Sequence, residues 1–213
     1  MKTTARFIFV IVLLNASLHA QKPATIEYGG EVRFDAPAQQ EPTALTKIFG
    51  NLGPSTNAYY NGGWQLAGPN SAAGAAFWSM AFVPVADSHV FQLRAAIQYV
   101  SGANQVNLSL YSDAGGAPGV LLAGPVTVKN VPTWYTCCTL AVANLHQVAV
   151  IAGTQYWVVA DTPSSGTGSD FNGTWAWVPP TKNFVADDVG NGAWNSFPGV
   201  IEELAGAVYG TTP

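Results

Sequence analysis

This chain predicts an all-β fold, an antiparallel β-sandwich, on three observations. The run Val106-Asn107-Leu108-Ser109-Leu110-Tyr111-Ser112-Asp113 alternates between an apolar and a polar face. It closes on Ala114-Gly115-Gly116-Ala117-Pro118-Gly119, a segment able to supply the positive φ angles of a tight reversal. From Leu45 onward, short apolar or alternating runs recur between turn residues, and no stretch holds a helical period of useful length. Composition agrees: only 9% of residues are charged while 12% are aromatic, which argues for a packed chain with neutral polar faces rather than a disordered one.

The elements follow in order. Residues 1–20 carry Lys2 and Arg6, an apolar stretch from Phe7 to Leu14, and small or polar residues up to Ala20, the pattern of a secretory signal peptide. The apolar stretch falls short of the roughly 20 residues that span a bilayer, so no membrane insertion is expected once the signal is removed. Residues 21–46, rich in Pro, Gln, Ala and Glu, read as a linker arm. Within it, Thr25 to Tyr28 and Glu31 to Phe34 flank Gly29-Gly30 as a small hairpin that must pack on the main domain to persist.

Residues 47–213 form the sandwich domain. Strands are predicted near Lys47 to Leu52, Ala75 to Val83, His89 to Val100, Asn104 to Ser112 and Val120 to Val128. Others are predicted near Trp134 to Val142, Gln155 to Asp161, Trp175 to Val178 and Glu203 to Tyr209. The breakers between them include Gly53-Pro54, Asn61-Gly62-Gly63, Gly68-Pro69-Asn70, Gly124-Pro125 and the segment from Pro163 to Gly168.

Several local patterns then fall in one order: Phe49-Gly50-Asn51-Leu52-Gly53-Pro54, Gly63-Trp64 followed by Gly68, Ala81-Phe82-Val83-Pro84, the Leu108 to Gly119 strand and turn, and Ala152 to Asp161. Together they resemble the bacterial choice-of-anchor domains over roughly Lys47 to Tyr209. The resemblance implies a jelly-roll-like module at the cell surface or outside the cell, with no catalytic residues to carry over. The end of this chain departs from that pattern. It has no apolar helix, basic terminus or Leu-Pro-x-Thr-Gly motif, so release into the medium or periplasm is the expectation.

Charge excludes some partners. Removing Lys2 and Arg6 leaves six basic residues against twelve acidic ones and moves the net charge from −4 to −6. Nucleic acid and anionic membranes are poor partners for such a chain. Catalysis has little to work with. The mature chain holds two histidines, His89 and His146, no Gly-x-Ser-x-Gly elbow, and carboxylates that mostly sit in turn contexts. The expectation is that the protein is not an enzyme and has no cofactor.

No spacing typical of transition-metal ligands occurs. Structural calcium is the one metal considered, with Asp113, Asp161 and Asp170 as its candidate ligands, although Asp113 and Asp161 also suit turn caps. The adjacent Cys137 and Cys138 stand either as two separate thiols or as a strained ring in a loop, since neighbouring Cα atoms lie closer than disulfide geometry prefers.

Seven tryptophans remain to be placed. Trp175 and Trp177, two residues apart, share one strand face; they form either an exposed stacking platform for sugar rings or inward packing. Trp134 is a third ligand-binding candidate. The expected function is a secreted, non-catalytic module of the bacterial surface or exterior that binds an extracellular neutral polysaccharide or a surface protein. The alternative is a structural or self-associating matrix protein. A small secreted carbohydrate-active hydrolase or lyase stands third.

Overall fold

The computed structural model describes residues 25–26, 33–34, 43–52, 59–136 and 139–213. The predicted signal peptide and the Cys137-Cys138 pair lie outside the described residues, as does most of the arm.

All regular structure among the described residues is extended. The strands begin with β1 (Thr25–Ile26), β2 (Arg33–Phe34), β3 (Thr46–Gly50), β4 (Tyr59–Tyr60) and β5 (Gly63–Ala67). There follow β6 (Phe77–Phe82), β7 (Ser88–Ala95), β8 (Ile97–Ser101), β9 (Gln105–Asp113) and β10 (Pro118–Lys129). The chain ends with β11 (Ala141–Val150), β12 (Tyr156–Asp161), β13 (Asn172–Asp188), β14 (Asn195–Leu204) and β15 (Gly206–Thr211). The large sheet runs β1-β5-β13-β6-β12-β9-β10, with β8 and β14 also on β13; a four-stranded sheet, β11-β7-β15-β3, packs against it. The strand pairings are antiparallel, and the protein is a β-sandwich as predicted.

The 17-residue strand β13 turns the large sheet through its bend. Its first half pairs with β5 and β8, its second half with β6 and β14. Register shifts lie between Trp177 and Phe184, the stretch holding Pro179-Pro180, where a ladder has to give way because proline has no N–H to donate.

Three chain segments change partners at one point. Ala96 separates β7 from β8, Ala205 separates β14 from β15, and Ala176 lies within β13. The Ala96 N–H donates to the Ala205 carbonyl (3.0 Å), Ala205 N–H to Ala176 (2.8 Å) and Ala176 N–H to Ala96 (2.9 Å), a closed triangle of backbone bonds. All three alanines are fully buried, and their methyl groups let the three backbones approach. Asn51 pins the corner: its Nδ2 donates to the Leu204 carbonyl (2.6 Å) and its Oδ1 accepts from Gly206 N–H (2.9 Å), satisfying backbone groups on either side of the Ala205 break.

Val106, Leu108 and Leu110 point into the main core with no exposure, as the alternation predicted. The opposite face of β9 is not open, however: Asn107 and Ser109 are also buried. The β9–β10 turn accounts for part of the cover. Asp113 binds the indole N–H of Trp157 on that outer face, and the Gly116 carbonyl accepts from Ser196 Oγ of β14 (2.5 Å).

Four expectations need correction. First, the described ends of the 25–34 hairpin do not pair with each other: β1 pairs with β5 and β2 with β4, and residues 27–32 lie outside the described residues. Second, the strand placed at Trp134 to Val142 begins at Ala141. Thr136 N–H closes a turn on the Thr133 carbonyl, and Tyr135 takes a φ of 66°. Third, β5 forms where no strand is predicted, starting at the last glycine of the Asn61-Gly62-Gly63 breaker. Its Gly63 is a packing glycine, since a Cβ there would overlap the Trp175 carbonyl on the neighbouring strand. Fourth, the single runs His89 to Val100 and Glu203 to Tyr209 break at the alanine corner.

Candidate functional site

The tryptophan pair lies inside the protein. Trp175 is completely buried and Trp177 is 3% exposed. Because β13 is flanked on both sides by β5 and β8, its inner face is a wall of the core. There Trp64 stacks on Trp78 and meets Trp177 edge-on, both at 5.3 Å. The Trp175 indole N–H donates to the Ala205 carbonyl (2.9 Å), tying the ring to the alanine corner. The inward-packing reading holds, and these two rings offer no stacking platform. Trp134 differs: it is half-buried in the turn 133–136, its N–H on the Tyr99 carbonyl (2.7 Å), beside Tyr135, which is 50% exposed.

The three aspartates proposed for calcium do not converge. Asp161 pairs with Asn107, six residues before Asp113 on β9, so the two sit roughly 20 Å apart along the strand. Asp113 is fully engaged. It accepts from Gln155 Nε2 (2.7 Å), Trp157 Nε1 (2.8 Å) and the N–H groups of Gly115 and Gly116. Burial works against its charge, but the bonds from Trp157, Gln155, Gly116 and Gly115 together outweigh it and hold its pKa below the ordinary carboxylate value.

Asp161 shows the reverse. Burial pushes it up to about 6; a bond from Asn107 Nδ2 (2.9 Å) opposes that rise, and the nearby Asp188 carboxylate adds to it. Asp188 in turn holds a loop by accepting the N–H groups of Gly190, Asn191 and Gly192. Asp170 is exposed, in the loop before β13. Among the described residues, no group of three or more metal-ligating side chains forms.

What the sheets do bring together is a loop cluster at the end of the sandwich where β5 stops, β9 starts and β13 starts. An open depression of about 570 Å³ is lined there by Asn70, Ala103, Gly166, Thr167, Ser169 and Asp170. The β5–β6 loop is sewn to the β12–β13 loop by Asn70 N–H on the Ser169 carbonyl (2.8 Å) and Asn70 Nδ2 on Ser169 Oγ (2.9 Å). Ser169 Oγ donates on to the Gly166 carbonyl (2.7 Å), and Gln105 Nε2 donates to the Thr167 carbonyl.

The β8–β9 loop joins through Ala103 N–H on Asp170 Oδ1 (3.0 Å). Tyr99 OH donates to the Gly102 carbonyl (2.7 Å), so the strand that carries the Trp134 turn also braces this loop. Of the lining residues, the sequence reading singled out only Asp170. Asn70 and Thr167 lie in segments read as breakers, and the one signal there is the polar side chains within Pro163 to Gly168. No family model matches this chain, and no curated protein is significantly similar to it.

Proposed function

We propose that the protein is a secreted, non-catalytic β-sandwich module of the choice-of-anchor kind that holds a neutral polysaccharide at this loop end. The observation that carries the reading is the depression itself. It is wide, open and braced by three loops, and its side chains are an amide, hydroxyls and one carboxyl, the groups that exchange hydrogen bonds with sugar hydroxyls. Tyr99, whose hydroxyl bonds the Gly102 carbonyl next to Ala103 of the lining, also accepts the backbone N–H of Trp134 at its own carbonyl. The exposed Tyr135 in that turn offers a second surface suited to C–H contacts with a sugar ring. A single carboxyl among the described lining residues supports binding rather than glycoside hydrolysis, which needs an acid and a second carboxylate across the bond.

The test is a glycan array probed with the mature protein, followed by titration of any hit against an Asn70→Ala/Thr167→Ala double variant. The expected result is binding to neutral glycans, weakened at least tenfold in the variant, with the melting temperature lowered by only a few degrees through the lost Asn70–Ser169 bond. An array without any neutral hit removes the reading. The structural alternative would then take its place, and one observation favours that alternative: Val120, Leu121 and Leu122 are exposed on the edge strand β10. The matching measurement is light scattering, with a monomer at high concentration counting against it.

A further inference from the structure

Resting on the loop-end reading above, we infer that the site prefers sugars that present a cationic amino group, and that Asp170 sets this preference. The argument is an inventory of donors and acceptors. Asn70 commits one Nδ2 hydrogen to Ser169 Oγ, which leaves one N–H and the two-lone-pair acceptor Oδ1 to offer. Ser169 is buried, donating to Gly166 and accepting from Asn70, and offers nothing further. Asp170 commits Oδ1 to the Ala103 N–H, while Oδ2 has no protein donor among the described residues. Thr167, exposed, adds a hydroxyl that can donate or accept. The lining is therefore richer in acceptors than in donors, and it contains no lysine, arginine or histidine.

Such a site matches ligands that bring donors. A sugar hydroxyl brings one donor; a protonated amine on the ring brings three and a positive charge. A uronate or sulfate brings acceptors only and meets Asp170 with like charge, in a chain whose overall charge is already negative. Neutral glycans bind, amino sugars bind better, and acidic glycans are rejected. Because Asp170 is exposed, the electrostatic gain is that of a surface pair, a factor of about five, and salt screens it.

Two oligosaccharides of equal length and linkage, one of glucose and one of glucosamine, separate the outcomes by calorimetric titration at pH 6. Wild type is expected to bind the glucosamine oligomer about fivefold tighter at low salt, with the ratio falling toward one in 1 M NaCl. Asp170→Asn keeps the acceptor for Ala103 N–H and removes the charge, so the glucosamine oligomer should lose more affinity than the glucose oligomer and the ratio should fall to one. A wild-type ratio of one, or a ratio that survives Asp170→Asn, overturns the inference while the polysaccharide reading stands. If neither oligomer binds, both are overturned.

Discussion

The two ends of the sandwich differ in where they spend their polar groups. At the loop end, Asn70, Thr167 and Asp170 line an open depression, with acceptors turned to solvent. At the other end the polar groups are taken up by hydrogen bonds within the protein. Asp113 gathers Gln155, Trp157 and two glycine N–H groups; Tyr156 OH accepts from Ile151 N–H (3.0 Å); Asp87 accepts from Ala152 N–H (2.8 Å). With those bonds closed internally, aliphatic side chains stand out beside them: Val85 is 93% exposed, Ile151 62% and Val120 69%, all in the segments that cap this end. Surface polarity here follows from which hydrogen bonds are satisfied inside the fold, more than from how many polar residues a loop contains.

The sharpest way to break this comparison is at Asp113. Replacing it with alanine strands the buried Trp157 indole N–H and frees the Gly115 and Gly116 N–H groups from their anchor, so stability should fall by about 3 kcal/mol. Chemical denaturation measures the loss; a change under 1 kcal/mol would mean that the inward hub does not govern that end.

Asp161 gives the next effect and opposes Asp113 in sign. Its pKa is raised from 3.8 to about 6, so the folded state holds the proton more tightly than the unfolded chain, and stability falls as pH rises through that window. The lowered pKa of Asp113 acts the other way: its contribution is full above the unfolded value of 3.8 and is lost as pH falls through the lower folded value. From these two groups stability should therefore peak near the unfolded value of 3.8 and fall on either side of it. Asp161→Asn should stabilise the protein by about 2 kcal/mol at pH 7 and leave it unchanged at pH 4. A gain that is the same at both pH values would remove the titration account.

How much of this was legible in sequence depends on range. The inward face of β9 was, because alternation is local and a sheet forces every second residue onto one face. The outward face differs from the alternation's prediction, since Asp113 reaching across to the Trp157 indole and β10 lying close on Ser109 leave no mark in the spacing of the strand itself. β5 escaped because Gly63, required by the neighbouring backbone, looks like a turn residue. Trp134 and Tyr135 were assigned to a strand because a non-glycine residue in the left-handed region carries no sequence signature. The depression was legible only through Asp170. Asn70 and Ser169 stand 99 residues apart and meet because β5 and β13 pair, a fact of topology rather than of motif.

Ser169 comes third. Its hydroxyl bridges Asn70 and Gly166 from a position 2% exposed, so Ser169→Ala should cost about 1 kcal/mol and loosen the β5–β6 loop from the β12–β13 loop. Hydrogen exchange at the Asn70 amide, which faces the Ser169 carbonyl, reports this locally. Exchange no faster than wild type would show that the backbone bond alone holds the loops.

The smallest effect sharpens the contrast most. Val85 meets almost nothing in the fold, so Val85→Ser should change stability by less than about 0.5 kcal/mol, whereas a valine in the core would cost several times that. Here the substitution is made on a group that only stands in water. A stability loss above 1 kcal/mol at Val85 would mean that the aliphatic end is packed in solution. The division between a polar end that faces outward and an end whose polar groups are bonded within the protein would then fail.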